Sequence, residues 1–214
     1  MSSKNIVGLC AGNIQRSATF DAVINYELEY QRITDLNVSS AGINVEKILT
    51  NETPLDTQVN MLKAGLHYGL VRDEIKREVE KVVSNGLEQE HTDNIKALYG
   101  EIRPLVHGYN LQFRNQALAE AGITNFPPPY TPLNPAKDFK LVLPMVGKHI
   151  PKIEARYNEK GITKPVIMTY GSLVGIDDLA DNLQGGLAGA QVNVKYFMDT
   201  RKRAVEKMQE LVYR

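Results

Sequence analysis

The amino-acid sequence predicts an α/β protein built on a doubly wound parallel sheet. Short apolar runs alternate along the chain with segments of helical periodicity, which is the pattern of βαβ units. A segment of helix length separates the first two runs, so the connection between their strands must be a parallel crossover. In such sheets the ligand lies outside the carboxyl ends of the strands. The only cysteine of the chain, Cys10, follows an apolar run and lies at such an end.

The first βαβ unit occupies the N-terminal part of the chain. Residues 6–9 form the apolar run of the first strand. After Ser17, apolar residues recur at helical spacing and predict an amphipathic helix that packs on the sheet: Phe20, Val23, Ile24 and Leu28. Residues 37–41 then read as a short second strand, which Gly42 ends.

Strand signals return in the C-terminal third. Residues 139–143 and 165–169 read as two further strands, both in the interior of the sheet, and residues 150–159 between them read as a helix that ends before Gly161. From Gln191 the apolar positions lie largely on one face of a long terminal helix. Four parallel strands are therefore expected.

The middle of the chain departs from this alternation. From about Pro54 to Gly122 the apolar residues recur only at helical spacing, and no strand is evident. We therefore expect one α/β domain, made of residues 1–50 and 123–214, with residues 51–122 as an inserted helical block. Its apolar faces must be buried. The block is either a cap over the strand ends or the interface of a homodimer.

Composition restricts the partners. The chain has 25 acidic and 25 basic residues, which argues against electrostatic capture of nucleic acid or of an anionic membrane. It contains no apolar stretch of transmembrane length and no signal-peptide pattern, so a cytoplasmic protein is expected.

One cysteine excludes an internal disulfide. The four histidines show no ligand spacing, so we expect surface or packing roles for them and no metal or other cofactor.

The segment from Cys10 to Ser17 joins the first strand to the first helix. A strand that turns sharply into a helix leaves several backbone N–H groups pointing into the turn, and the helix adds its positive dipole end. Such a turn binds a phosphate-like dianion and stabilises a cysteine thiolate. Cys10 is therefore a candidate nucleophile and Arg16 a candidate phosphate clamp. The alternative is an inert buried thiol at a strand end.

These residues resemble a known family. Cys-x5-Arg is the signature of cysteine phosphatases, and Gly12, Asn13, Ile14 and Ser17 within it resemble the low-molecular-weight protein tyrosine phosphatase family, which includes arsenate reductases. Residues 38–42 are similar to the Ser-Ala-Gly that ends the family's second strand. The resemblance covers roughly residues 4–45 and 135–214, leaves the helical block outside, and implies a flavodoxin-like fold.

The resemblance implies a mechanism and a set of site residues. It implies metal-independent hydrolysis of phosphomonoesters, with phosphotyrosine the leading substrate class, through a phosphocysteine formed on Cys10. Backbone amides from Ala11 to Arg16 hold the phosphate oxygens, and Ser17 donates its hydroxyl to the sulfur. Asn13 supports the loop in a positive-φ or otherwise tight conformation, which asparagine tolerates better than most residues. Gln15 stands where many members carry a second cysteine. The substrate-binding residues are thus Ala11, Gly12, Asn13, Ile14, Gln15 and Ser17.

A general acid is needed to protonate the leaving oxygen and then to activate water. Alignment with the family's acid loop indicates Asp178, although Leu179 replaces the proline that usually follows. Asp181 is the second candidate, and Asp177 is the third. The alternative is that these aspartates only solvate a loop and cap the next helix.

Other readings stay open at the level of sequence. The chain could be an arsenate reductase resolved by an external thiol, or a non-catalytic oxyanion-binding module. The substrate could also be phosphoarginine or a small phosphorylated metabolite. The proline-rich residues 125–132 form a stiff connector, which either only links two elements or places Phe126 or Tyr130 in the wall of the site.

Overall fold

The computed structural model describes residues 4–85, 92–179 and 185–214. Its centre is a sheet of four parallel strands in the order β2-β1-β3-β4. The strands are β1 (Lys4–Cys10), β2 (Leu36–Gly42), β3 (Phe139–Pro144) and β4 (Val166–Ile167). Helices cover both faces of the sheet, so the expected doubly wound α/β fold is confirmed.

Eight α-helices accompany the sheet within the described residues. They are α1 (Arg16–Gln31), α2 (Val45–Leu49), α3 (Leu55–His67), α4 (Asp73–Asn85), α5 (Thr92–Glu120), α6 (Ile150–Glu159), α7 (Tyr170–Val174) and α8 (Gly186–Val212). A 3-10 turn, Gly147–His149, precedes α6. The terminal helix begins at Gly186, five residues before the predicted start at Gln191, because packing overrides the poor helix propensity of its glycine-rich first turn.

The fourth strand corrects one prediction. It has only two residues and lies at the edge of the sheet, where it pairs with β3 through Leu141 and Val142. Val166 is 46% exposed. The prediction of an interior strand over 165–169 was therefore wrong. A short apolar run does not reveal how many neighbours a strand has, and Pro165 offers no N–H to a partner.

The apolar core has a layer on each face of the sheet. On one face α1 and α8 pack against alternate residues of β1 and β3, for example Ile6 and Leu141. On the other face α6 covers the residues between them, for example Val7 and Val142. Gly8 permits the close approach of α1, since a Cβ there would lie 2.3 Å from the Phe20 ring. β1 is thus buried on both faces, as central parallel strands are.

The helical block has an apolar core of its own. The residues that form it come from α3, α4 and the first half of α5, and include Leu62, Val79 and Ile102. The second half of α5 packs in the main core, where Ala117 and Leu118 are buried beside α8. The 29-residue α5 therefore joins the block to the sheet domain. No helix in the described residues is long and apolar enough to cross a lipid bilayer.

Candidate active site

The turn between β1 and α1, residues 10–16, is called the phosphate loop below. Its first part is fixed by the end of β2, because the amides of Ile43 and Asn44 donate to the carbonyls of Cys10 and Ala11, each at 2.9 Å. Gly42 lies directly against the loop. A Cβ at that position would be 2.8 Å from the Ala11 oxygen and 2.9 Å from the Asn13 nitrogen. Any side chain at position 42 would displace the loop.

The Cys10 sulfur is buried inside this loop. The Asn13 amide donates to Cys10 Sγ at 3.2 Å, and Ser17 Oγ lies 3.0 Å from the same sulfur. Asn13 has φ 55°, which confirms the expected left-handed turn. α1 begins at Arg16, so its positive dipole end faces the loop. The sequence motif therefore folds into a turn whose N–H groups and helix end favour negative charge.

Ser17 connects the sulfur to the rest of the loop. Its hydroxyl also lies 2.9 Å from Asn13 Oδ1 and 3.3 Å from the Ala41 carbonyl oxygen. A hydroxyl has one proton and two acceptor sites. When the sulfur carries a proton, it can donate to Ser17 Oγ while Ser17 donates to Asn13. When the sulfur is a thiolate, the Ser17 proton can turn towards it.

Arg16 and the acid loop are joined by a hydrogen bond. The buried Arg16 guanidinium donates from Nη1 to the carbonyl oxygen of Leu179 at 3.2 Å. The neighbouring Asp178 is exposed, and its Oδ2 accepts from the Gly147 amide at 3.0 Å. The carbonyl of Asp177 accepts from the Tyr196 hydroxyl at 2.8 Å. Asp181, the second candidate for the acid, lies outside the described residues.

A largely apolar cavity of about 120 Å³ opens above the phosphate loop. The loop lines it with Cys10, Ala11, Gly12, Ile14, Gln15 and Arg16. The remaining wall comes from α2, α3 and α5 through Ile48, Thr57, Met61, Tyr99 and His107. Of the other expected site residues, Asn13 and Ser17 support the loop from behind, and Asp178 is not among the lining residues. The helical block therefore borders the candidate site.

Two buried polar residues of α5 hold the phosphate loop, and sequence reasoning missed both. Asn110 accepts from Gln15 Nε2 at 2.7 Å and donates to the Val106 carbonyl. Arg114 donates to the carbonyl oxygens of Ile14 at 3.0 Å and Pro127 at 2.8 Å. Asn110 and Arg114 are four residues apart and share one helix face. Polar residues at this spacing on an otherwise apolar face were the available signal.

Arg114 also places a buried positive charge near Cys10. Burial lowers the pKa of the Arg114 guanidinium to about 10, and the nearby Asp21 carboxylate and Cys10 sulfur oppose that shift. Burial likewise raises the pKa of Asp21, although Ser40 and Asn25 stabilise its charged form by hydrogen bonds. The loop sulfur therefore lies in a field to which Arg114 contributes together with the helix.

His107 forms part of the cavity wall, where a surface or packing role was expected. Burial, and then the charge of Arg103, lower the pKa of His107 to about 3, so its imidazole is neutral at physiological pH. Its Nδ1 shares a hydrogen bond with the Tyr130 hydroxyl. Asn13 Nδ2 donates to the carbonyl oxygen of Pro128 at 3.2 Å in the same connector. The proline-rich segment therefore contacts the site through His107 and Asn13, but neither Tyr130 nor the exposed Phe126 lines the cavity above Cys10.

Among residues 4–85, 92–179 and 185–214, no group of three or more His, Cys, Asp or Glu side chains is arranged to hold a metal ion.

Solved structures share this fold. No protein-family model and no curated protein matches the sequence. A low-molecular-weight protein tyrosine phosphatase from T. tengcongensis is 16% identical, with 96% of this chain and 99% of that chain covered and a TM-score of 0.53. The YwlE arginine phosphatase from Geobacillus stearothermophilus is 18% identical, with 97% and 94% covered and a TM-score of 0.53.

A low-molecular-weight protein tyrosine phosphatase from Bacillus subtilis gives a similar result, with 16% identity, coverage of 96% and 97%, and a TM-score of 0.54. The chain therefore has the flavodoxin-like fold of these phosphatases, as the resemblance implied. At such identities the likeness establishes the fold alone.

Proposed function

We propose that this chain is a cysteine-dependent phosphatase that hydrolyses phosphomonoesters through a phosphocysteine. The Cys10 thiolate attacks phosphorus, so that an S–P bond forms as the P–O bond to the leaving group breaks. Asp178 gives its proton to the leaving oxygen. Water then attacks the phosphocysteine, Asp178 takes a proton from it, and inorganic phosphate leaves with the thiolate restored.

The observation that carries this proposal is the surroundings of the Cys10 sulfur. A structural cysteine needs no hydrogen-bond donors around its sulfur. The Cys10 sulfur is contacted by the Asn13 amide and by the Ser17 hydroxyl at the N-terminal end of α1. Both groups stabilise the thiolate form. The phosphate oxygens would be held by the backbone amides from Ala11 to Arg16.

Arg16 is the proposed clamp for two of the transferred oxygens, since its planar fork suits the spread charge of a loose transition state. Its bond to the Leu179 carbonyl ties the clamp to the loop of the acid. The Asp178 carboxylate accepts a hydrogen bond from the Gly147 amide. We infer that Asp178 leaves this contact when it protonates the leaving oxygen.

The cavity walls favour an aryl leaving group, with phosphotyrosine as the leading substrate class. Ile14, Ile48 and Met61 offer apolar surface to a ring, and no carboxylate lines the described wall to pair with the guanidinium of phosphoarginine. The helical block, residues 51–122, is proposed to act as a cap that selects the leaving group. A reducing, cytoplasmic compartment would keep Cys10 as the free thiol that this chemistry needs.

The proposal is tested by turnover of 4-nitrophenyl phosphate with and without vanadate. Cys10→Ser should abolish turnover and retain binding of a simple oxyanion such as inorganic phosphate, because the amides and Arg16 remain. Arg16→Lys should be severely impaired, while Arg77→Lys, an exposed control on α4, should match the wild type.

Three outcomes would overturn the proposal. Near-wild-type activity of Cys10→Ser would remove the nucleophile from the mechanism. A wild type that binds vanadate but turns over no aryl phosphate would be an oxyanion-binding module. Arsenate reduction that depends on an added thiol, without phosphatase turnover, would identify an arsenate reductase.

A further inference from the structure

A second, open cleft of about 480 Å³ begins at the phosphate loop. It shares Ala11 and Arg16 with the loop, and then runs between α2 and the start of α6, where Lys148 and Lys152 line it. This cleft is more polar than the cavity above Cys10. That cavity is the proposed site of the leaving group. The two spaces meet at the phosphate loop, so a ligand bound there could occupy both.

The lysines of this cleft belong to a local group of positive charges. Lys152 Nζ is held by Asn44 Oδ1 at 2.8 Å. Burial, and then the like charges of Lys47 and Arg156, lower the pKa of Lys152. Arg156 lies one turn further along α6 and donates to the Ile43 carbonyl oxygen at 2.8 Å. The chain as a whole has no net charge, so this positive region is local.

The carboxylates that the structure describes near this group make no ion pair with either lysine. Glu46 lies 3.9 Å from Arg156 and is largely exposed, and Asp178 accepts a hydrogen bond from the Gly147 amide next to Lys148. Within the part of the chain that the structure describes, no carboxylate oxygen comes within 4.0 Å of the ammonium groups of Lys148 or Lys152. Among the described residues, therefore, these two ammonium groups beside the phosphate loop have no ion-pair partner.

We propose that this cleft binds a second anionic group of the substrate, a carboxylate or a phosphate, while the reacting phosphate occupies the loop. The inference rests on the proposed phosphatase function and narrows its substrate class to phosphoesters that carry a further negative charge. Lys148 and Lys152 contact that second anion, and Asn44 positions Lys152. The effect is on substrate binding, because neither lysine touches the reacting atoms.

The test compares matched substrates that differ only in the second anion. One pair is a phosphotyrosine peptide with flanking aspartates and the same peptide with asparagines. The other pair is an aryl phosphate with and without a second phosphate group. Each is assayed with the wild type, with Lys148→Gln/Lys152→Gln, and with Lys195→Gln/Lys207→Gln, which removes the same charge from α8 outside the cleft.

The wild type should show a KM for the doubly anionic member of at least one pair that is roughly threefold to thirtyfold lower than for its partner. The Lys148/Lys152 variant should lose this preference with kcat on 4-nitrophenyl phosphate unchanged, and the α8 control should keep it. The pair that responds identifies the source of the anion, peptide or small molecule. Equal KM values in the wild type, or an equal loss on both members of a pair in the variant, would overturn the proposal.

Equilibrium binding measurements distinguish a failure of this inference from a failure of the proposed phosphatase function. If the wild type hydrolyses none of these substrates, the phosphatase proposal fails, and equilibrium binding of the same four ligands to Cys10→Ser protein still tests the cleft. A preference for the second anion that the two lysine substitutions remove would support it, and equal affinities would refute it. Thermal unfolding checks that each variant folds. If the double variant does not, the exposed Lys148→Gln alone should lose part of the preference.

Discussion

Gln15 and Asn110 form a buried amide pair, in which Gln15 Nε2 donates to Asn110 Oδ1 at 2.7 Å. The bond joins the phosphate loop to α5 across 95 residues of sequence. Asn110 is fully buried and Gln15 nearly so, so each amide has few alternative hydrogen-bond partners. Gln15, at the position where the resembled family was expected to carry a second cysteine, here fixes the loop to the helical block.

Breaking this pair should destabilise the protein and disturb the loop. Asn110→Leu leaves the Gln15 amide buried and unpaired, so the free energy of unfolding should fall by about 1–3 kcal/mol, with a drop in kcat. The double variant with Gln15→Leu should lose less than the sum of the two single variants. Urea unfolding of all three measures the coupling, and Gln116→Leu, exposed on α5, is the control. Additive losses would mean that the two amides do not interact.

Arg114 should matter for both stability and turnover. Arg114→Met removes the donors to the Ile14 and Pro127 carbonyls, so we expect a loss of about 2–4 kcal/mol in the free energy of unfolding and a lower kcat. Arg114→Lys should recover little of this stability or turnover, because the single ammonium group of lysine cannot donate to both the Ile14 and the Pro127 carbonyls. The exposed Arg72→Met should change stability by less than about 1 kcal/mol. Urea unfolding and aryl phosphate turnover measure these effects, and equal losses at 72 and 114 would argue against the role of Arg114.

The general acid is tested by leaving-group dependence. Asp178→Asn should lower kcat much more for alkyl phosphates than for 4-nitrophenyl phosphate, since an activated leaving group scarcely needs a proton. Asp177→Asn is the matched control one residue away, and it should behave as the wild type. A leaving-group effect that follows Asp181→Asn instead would move the acid three residues along the loop and leave the mechanism intact.

His107 predicts a pH dependence of stability. Its pKa is about 3 in the folded chain, against about 6.5 in an unfolded one, so below pH 6.5 the unfolded state takes up a proton that the folded state refuses. The contribution of the neutral His107 to the free energy of unfolding is therefore fully present above pH 6.5, and it is lost as the pH falls towards 3. His107→Gln should remove about 1.4 kcal/mol per pH unit from the slope between pH 5.5 and 4.5, as measured by urea unfolding. Parallel curves for the two proteins would contradict the assignment.

The cap proposal is tested at the cavity mouth. Thr57 is exposed on α3 and lines the cavity above Cys10. Thr57→Phe should lower kcat/KM for bulky aryl phosphates severalfold and leave 4-nitrophenyl phosphate nearly unaffected. Asn60→Phe places the same ring on the same helix outside the cavity, and it should alter neither. If instead Thr57→Phe spares every substrate but dissociates a dimer, as seen by light scattering, the helical block is an interface.

The sequence was informative where the site is local. The phosphate loop and the Ser-Ala-Gly at the end of β2 are short motifs whose residue types follow from backbone geometry. Asn13 needs a positive φ, and Gly42 leaves no space for a Cβ beside the loop. Such requirements depend on a few neighbouring residues, so they can be read without knowing the fold.

The other walls of the site could not be read in this way. His107 and Arg114 are contributed by a helix about one hundred residues after the loop, and their roles depend on which face of α5 meets it. The start of α8 and the edge position of β4 likewise depend on tertiary packing. Helical periodicity predicted the helical block, but it could not predict which of the block's polar side chains would face the phosphate loop.

The long connections of the phosphate loop have a consequence for how the protein folds. β1, α1 and β2 make contacts between residues close in sequence and can assemble early. The loop between them, however, is fastened by partners 95, 100 and 115 residues away, at Asn110, Arg114 and Pro128. Closing such long chain segments is entropically costly and comes late. The phosphate loop, although encoded in the first seventeen residues, should therefore reach its final conformation only after most of the chain has folded.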